Sequence, residues 1–404
     1  MAKKAVKFSF GPGFLVTAAF IGPGTVTTCT LAGAHFGYAL LYALVFATVT
    51  TFFLQEMTGR LSLGSGQDLG QALRSVPKRL VTRLIFIVLT LAAITFGCAA
   101  YEAGNITGGA LGLEILTPLP YRLWVALISL AALLLLGLKS YKVIEKTLIG
   151  LVFLMSLSFL ATVIIVRPSL SAALSGLVPT IPPGSLILLL ALVGTTVVPY
   201  NLFLHSAAVK QKWNSPDQLP EVKKDLLVSI GLGGLISAAI VVTSAVAFFS
   251  QGETVEKGIN MAQQLKPLFG SAAQVLFGMG FFAAGLSSAV TAPYAAAFAS
   301  SGILGWDRGQ DSVRFRMIWA GIILIGCVVS LFGFNPISVI IFAQAANGII
   351  LPVAVVFLLV VLNNRQKMGG LANTWKQNLI GIAITAIVSA LGLWNLLRLL
   401  PFFK

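Results

Sequence analysis

Apolar stretches of roughly 20 residues, the length that crosses a bilayer as a helix, recur along the chain from Phe14 to Phe402, each bounded by a few charged or turn-forming residues. Threaded in order, they predict spans over 12–33, 36–62, 82–113, 121–138, 146–167, 185–209, 223–249, 268–303, 315–334, 336–362 and 377–401, about eleven in all. The connections are short. The longest are the basic segment after span 2 and Arg167–Gly184, which holds Pro168, Pro179, Pro182 and Pro183. Neither is long enough for a second folded unit. The pattern therefore predicts an all-α polytopic membrane protein, with one transmembrane domain over 1–404. Its first half runs over about 12–167, its second over about 185–362, and an extra span follows at 377–401.

Composition supports this reading. Of the 404 residues, 57% are hydrophobic and only 10% are charged, and the mean hydropathy is +0.95. Such a chain has too little polar surface to cover a water-soluble globule. The start, MAKKAVKFSF, is basic, but the apolar run behind it carries Gly and Pro and continues to about Leu31 without a small-residue cleavage site, unlike a signal peptide. Cys29, Cys98 and Cys327 stand singly within apolar spans, with neither a CxxC pair nor a neighbouring histidine, and read as small buried residues.

A formal net charge of +15 raises the question of nucleic acid, which the placement of the charge answers. With the N-terminus inside, only Arg122, Arg167, Lys257, Lys266, Arg398 and Lys404 of the 27 Lys and Arg fall outside. The other 21 gather inside, in the stretches 3–7, 60–83, 139–146, 210–224, 308–316 and 365–376. This is the positive-inside distribution of a membrane protein, and the basicity reports topology rather than nucleic-acid binding. An odd number of spans then puts the C-terminus outside.

Spans 1 and 6 each carry a proline near the middle. Ile21-Gly22-Pro23-Gly24-Thr25 echoes Val197-Val198-Pro199-Tyr200-Asn201. Proline removes one helical hydrogen bond and clashes with the preceding turn, and Gly22 and Gly24 weaken the first helix further. Five spans separate the two sites, so the second copy enters from the opposite side, the inverted-repeat arrangement of many secondary carriers. Backbone freed at that depth is tolerable only where it is buried in protein or lines a wet cavity. One such break can be a packing kink; two matched breaks point to a central binding site.

The residues at the breaks carry no formal charge. Gly22 and Thr25 offer a divalent cation no carboxylate, and Thr195, Thr196, Val198, Tyr200 and Asn201 supply hydroxyls, a phenol and an amide but neither thiol nor thioether. N–H groups at the start of a half-helix, with the hydroxyls of Thr25, Thr27 and Thr28, match a small anion better than a metal ion.

At these residues the chain resembles the Nramp family of proton-coupled divalent-metal transporters. Gly11-Pro12-Gly13-Phe14-Leu15, Ala32-Gly33-Ala34-His35-Phe36-Gly37-Tyr38, Asn201-Leu202-Phe203-Leu204-His205-Ser206 and Gly285-Leu286-Ser287-Ser288-Ala289-Val290-Thr291 look like signatures of that family, and the likeness runs over nearly the whole chain. The resemblance implies a LeuT-like inverted repeat, spans 1–5 against 6–10, with helices 1 and 6 broken. The departures fall on the metal site. The family's Asp-Pro-Gly-Asn is Gly22-Pro23-Gly24-Thr25 here, and its Met-Pro-His is Val198-Pro199-Tyr200, which loses the soft sulfur that favours transition metals. Ala19 and Thr195 match positions whose backbone carbonyls face the site, and Gln344 matches a glutamine of span 10.

The family's acidic pair in span 3, associated with proton movement, maps onto Glu102 and Asn105. Glu102 is the one acid placed near mid-membrane, where a carboxylate serves proton coupling or gating, or a structural hydrogen bond. His205 matches a family histidine and can titrate near neutral pH or simply pack. Ser287, Ser288 and Thr291 lie on span 8, which in LeuT-like carriers faces span 1; they could complete a sodium site or serve helix packing.

The residues together lead to a secondary carrier working by alternating access, with no cofactor, whose cargo is a small anion such as bicarbonate moved with sodium or protons. Divalent-cation transport, of magnesium or manganese through a weakened site, is the runner-up, and a non-transporting sensor on the same scaffold is a third reading. Substrate contacts are expected from Ala19, Gly22, Pro23, Gly24, Thr25, Thr195, Val198, Tyr200, Asn201 and Gln344. No enzyme motif appears: the chain has no nucleophile with base and orienting partner, no P-loop and no HExxH, and the run Gly231-Leu232-Gly233-Gly234 reads as close helix packing.

Overall fold

The structure, a computed structural model, describes residues 11–75, 80–138, 142–309 and 311–399. The basic residues Lys3, Lys4, Lys7, Lys78, Arg79, Lys139 and Lys404 lie outside the described residues. The rest forms α1 (Pro12–Phe20), α2 (Pro23–Phe36), α3 (Leu41–Ser65), α4 (Leu69–Ser75), α5 (Leu80–Leu116), α6 (Tyr121–Gly137), α7 (Lys142–Val166), α8 (Leu170–Ser175) and α9 (Leu186–Thr196). There follow α10 (Pro199–Lys212), α11 (Leu219–Ala247), α12 (Gly258–Met261), α13 (Lys266–Phe269), α14 (Ala273–Leu304), α15 (Val313–Leu331), α16 (Pro336–Leu362), α17 (Arg365–Met368) and α18 (Trp375–Leu399).

Among the described residues, nine helical stretches are long and apolar enough to cross a bilayer, and the bent pair α1–α2 makes a tenth. Helix α6, with 17 residues, sits at the short end of a crossing length, so about eleven spans hold with one short member. Both proline sites are breaks, with α1 giving way to α2 at Pro23 and α9 to α10 at Pro199.

Helix α5 is the centre of the bundle and packs most extensively on α14, then on α16 and α15. Small residues make this possible. A side chain on Gly285 of α14 would overlap the backbone of Gly109 on α5, and one on Gly112 would overlap Phe282, so the two helices meet backbone to backbone. The expected packing role of the Gly231–Gly234 run is carried by Gly234 against Thr48, while Gly231 faces open space. Cys29 and Cys98 are buried and Cys327 half-buried, all as free thiols.

One face of the bundle, where α3, α10 and α16 end and α1, α5 and α11 begin, is tied together by charge. Glu56 and Asp68 are buried acids besides Glu102, and both are paired with bases; for Glu56, Arg60 donates to it at 3.1 Å and Lys223 lies 3.4 Å away. The same Arg60 guanidinium donates to Leu371 O, Asn373 Oδ1 and Gln377 Oε1, anchoring the α17–α18 connection. Arg308 holds Asp68 with two bonds of 2.6 and 3.0 Å. Asp225 accepts from Gly13 N at 2.7 Å, so a carboxylate sits at the positive end of α1 and fixes it to α11.

Candidate functional site

The first break is a bare stretch of backbone onto which other helices fold their side chains. Ile21 (φ −80, ψ 74) ends α1, and Gly22 (φ −121, ψ −172) is extended before Pro23 opens α2. Four elements close on these residues. Gln344 of α16 lies so near Gly24 that a methyl there would overlap its amide, and Gly108 of α5 gives way in the same manner to the ring of Pro23. A methyl on Gly22 would stand 3.0 Å from Ser288 Oγ of α14. Thr25 Oγ1 lies 2.8 Å from Thr195 Oγ1 of α9, a hydrogen bond that joins the two breaks directly.

The second break repeats the turn that ends the first half-helix but bends less, Leu186–Lys212 running as one span against the 60° bend of α1–α2, and it reverses the role of the side chains. Val197 (φ −97, ψ 79) matches Ile21 closely, and Val198 (φ −87, ψ 120) is extended before Pro199. Where the first break has Gly24 and Thr25, the second has Tyr200 and Asn201, both buried. The ring of Tyr200 meets Tyr101 of α5 edge-on with centroids 5.7 Å apart.

Every residue expected at the centre is buried: Ala19, Gly22, Pro23, Gly24, Thr25, Thr195, Val198, Tyr200, Asn201 and Gln344. Ala19 and Thr195 lie in the last turns of α1 and α9, whose final carbonyls have no partner further along their own helix. Both side-chain atoms of the Asn201 and Gln344 amides are buried with no hydrogen-bond partner among the described residues. Buried amides are ordinarily satisfied, so the open Gln344 amide against Gly24, and a second open amide at Asn201 just past the other break, mark groups that can receive a polar guest. The donor set is neutral throughout. Among the described residues no group of three or more His, Cys, Asp or Glu stands ready for a metal ion. The arrangement can surround a small ion with amide and hydroxyl dipoles and helix ends, presenting oxygen to a cation or N–H to an anion.

The outlying expectations divide. Glu102 and Asn105 belong together, Asn105 Nδ2 donating to Glu102 Oε2 at 3.3 Å, and Glu102 Oε1 is buried without a partner. His205 stands away from the break and packs on α3, its Nδ1 2.8 Å from Thr58 Oγ1, while its Nε2 is buried and unpartnered. Of the three span 8 hydroxyls only Ser288 approaches span 1. Thr291 Oγ1 donates to Ser287 O of its own helix, and both residues are half-buried. Two residues went unread in the sequence. Tyr101 and Asn347 are each 1% exposed; the Tyr101 hydroxyl faces Thr195 and Tyr200, and Asn347 Nδ2 lacks a partner among the described residues. Asn347 follows Gln344 by three residues on one helix, a same-face spacing that could have flagged it.

Comparison with known proteins accords with this architecture. A family profile described as natural resistance-associated macrophage protein-like matches residues 13–398. A divalent metal cation transporter MntH of Klebsiella pneumoniae (strain 342) is 29% identical over 406 residues, covering 97% of this chain and 94% of that protein. One of Nostoc sp. (strain PCC 7120) is 31% identical over 408 residues, covering 96% and 90%. The crystal structure of the Eremococcus coleocola manganese transporter, in complex with an aromatic bis-isothiourea substituted compound, superposes with a TM-score of 0.77 at 23% identity, over 98% of this chain and 88% of that one. The small-anion expectation has no counterpart in these descriptions, whereas the divalent-cation alternative does. With its broken spans, glycine-stripped first break and end-to-end match, this integral membrane protein belongs to the Nramp family of transporters.

Proposed function

We propose that this chain carries a small inorganic ion by alternating access, and that the ion is a hard divalent cation such as magnesium or manganese held by neutral oxygen dipoles. The observation that carries the reading is the Thr25–Thr195 hydroxyl pair at the two breaks, with the open amide of Gln344 against Gly24 and the buried, open amide of Asn201 in the first turn of α10. End-to-end similarity to divalent metal cation transporters supports the cation. Without a carboxylate, the site cannot replace the full hydration shell of such an ion. Magnesium gives up water reluctantly, so an oxygen-lined, uncharged pocket suits an ion that keeps part of its shell. Loss of the thioether removes the preference for softer transition metals.

In this reading the face bearing Arg60, Arg74, Lys210, Lys223 and Arg308 is cytoplasmic, the N-terminus lies inside and the C-terminus outside. Glu102, with Asn105, and His205 are the groups we assign to proton coupling, and Ser288, which lies against Gly22, is the span 8 hydroxyl we assign to sodium.

A second reading, a small anion such as bicarbonate, is favoured by one specific feature: α2 and α10 both begin at the breaks, so their N-terminal N–H groups and the amide NH₂ groups converge on an uncharged site. Purified protein in proteoliposomes separates the two. Saturable uptake of magnesium or manganese, compared with and without sodium and pH gradients, is the expected result. Bicarbonate accumulation with no divalent flux would overturn the cation in favour of the anion, and ligand binding without any flux would leave a sensor.

A further inference from the structure

The open amide of Gln344 is not the last unsatisfied polar group on its helix. One turn further along α16, Asn347 is 1% exposed, and a methyl added to Gly97 of α5 would come within 3.2 Å of its Oδ1. Gly104, seven residues along α5 and on the same face, stands against Ala343 and Gln344 in the same way. Between these glycines on the α5 stripe lies Tyr101, whose buried hydroxyl faces Thr195 and Tyr200 of the second break. Gln344, Tyr101 and Asn347 thus form a polar strip along the α5–α16 seam. It starts at the central junction and runs toward the face where α5 begins and α16 ends.

Backbone geometry strengthens the point. Pro352 sits inside α16 and has no N–H to offer the carbonyl of Gly348, next to Asn347. A polar side chain and a helix carbonyl are both left open at one level, about 4.5 Å along the helix axis from Gln344. At membrane depth such groups are retained where water or an ion satisfies them.

We infer that the α5–α16 seam is a hydrated lane leading from the central site toward the basic face, with Asn347 as its inner polar station for water or a partly hydrated ion. This rests on the carrier reading for the ion but not for the water, and the test separates the two. Glycines at 97 and 104 let α16 come close to α5, so that Asn347 lies against the bare α5 backbone with no side chain between them. The lane's groups carry no formal charge, so the station passes an ion on rather than trapping it.

The test is cysteine accessibility in reconstituted full-length protein with Cys29, Cys98 and Cys327 replaced by Ala. Asn347→Cys, Asn201→Cys at the central site and Leu358→Cys, a buried apolar control on the same helix, are exposed to a water-soluble methanethiosulfonate reagent. Monodisperse elution confirms that each variant is folded. Asn347→Cys is expected to react at least tenfold faster than Leu358→Cys. Reaction no faster than at Leu358→Cys overturns the lane, whatever Asn201→Cys does. Failure of Asn201→Cys alone counts against the central site and leaves the lane standing. In transport, Asn347→Leu is expected to lower the maximal rate about tenfold with KM for magnesium changed less than twofold. A rise in KM with no change in maximal rate would show instead that Asn347 belongs to the central site.

Discussion

The two breaks begin alike, then diverge in backbone and in side chains: the α1–α2 pair is bent by 60°, whereas Leu186–Lys212 runs on as one span. Ile21 and Val197 turn the chain almost identically, and each is followed by an extended residue and a proline that opens the next half-helix. Yet Gly22 and Gly24 leave the first break empty, and it is filled from outside by Ser288 and Gln344. The second break brings its own Tyr200 and Asn201. The inverted repeat therefore supplies matched helix ends, while the chemistry is asymmetric: one break gives room and backbone, the other gives side chains. A guest ion would be gripped mainly by groups from span 6 and α16, with span 1 contributing its backbone and the Thr25 hydroxyl.

That asymmetry can be broken deliberately, and the largest effect is expected where the room is tightest. Gly24→Leu drives a side chain into the Gln344 amide and should reduce initial uptake in proteoliposomes at least a hundredfold, with the protein still monodisperse in detergent. The reciprocal change, Tyr200→Gly, removes a side chain from a break that already holds others and should cost about tenfold. Equal losses at the two positions would mean that the breaks are equivalent after all.

A smaller loss is expected at the open amide. Asn201→Ala removes a dipole from the guest and should lower Vmax/KM about tenfold, or about 1.4 kcal/mol, the usual size of a hydrogen bond to a charged partner. Thr25→Val preserves shape but removes the hydroxyl that bonds Thr195 across the two breaks. Raising KM about fivefold, near 1 kcal/mol, is the expected outcome. The smallest effects belong to span 8. Ser288→Ala should shift the sodium dependence of uptake about twofold, and Ser287→Ala should leave it unchanged.

Much of this architecture was legible from hydrophobic spacing. The spans fall within a few residues of their predicted bounds, because a lipid-facing helix must be apolar over its whole crossing. The breaks were legible for a local reason, proline in a helix interior. Rotation about the helix axes was not. Ser287 and Thr291 look as well placed as Ser288 until packing against α5 sets the face that α14 turns to span 1. The Thr25–Thr195 contact and the Asn347–Gly97 seam join residues distant in sequence, and periodicity gives depth along a helix but not its neighbour. Glu56, another buried acid, was overlooked because its pairing depends on Lys223 of another helix as well as on Arg60.

The account stands or falls on whether an uncharged site binds a divalent cation through dipoles, and Gly22→Asp tests this most directly. Uptake of manganese and of bicarbonate is measured side by side for the parent chain and the variant in the same proteoliposomes. The account predicts saturable manganese uptake by the parent and a KM at least tenfold lower in the variant, since the new carboxylate adds the charge that span 1 lacks. Bicarbonate accumulation by the parent without manganese uptake, abolished by Gly22→Asp, would contradict it and make the cargo an anion.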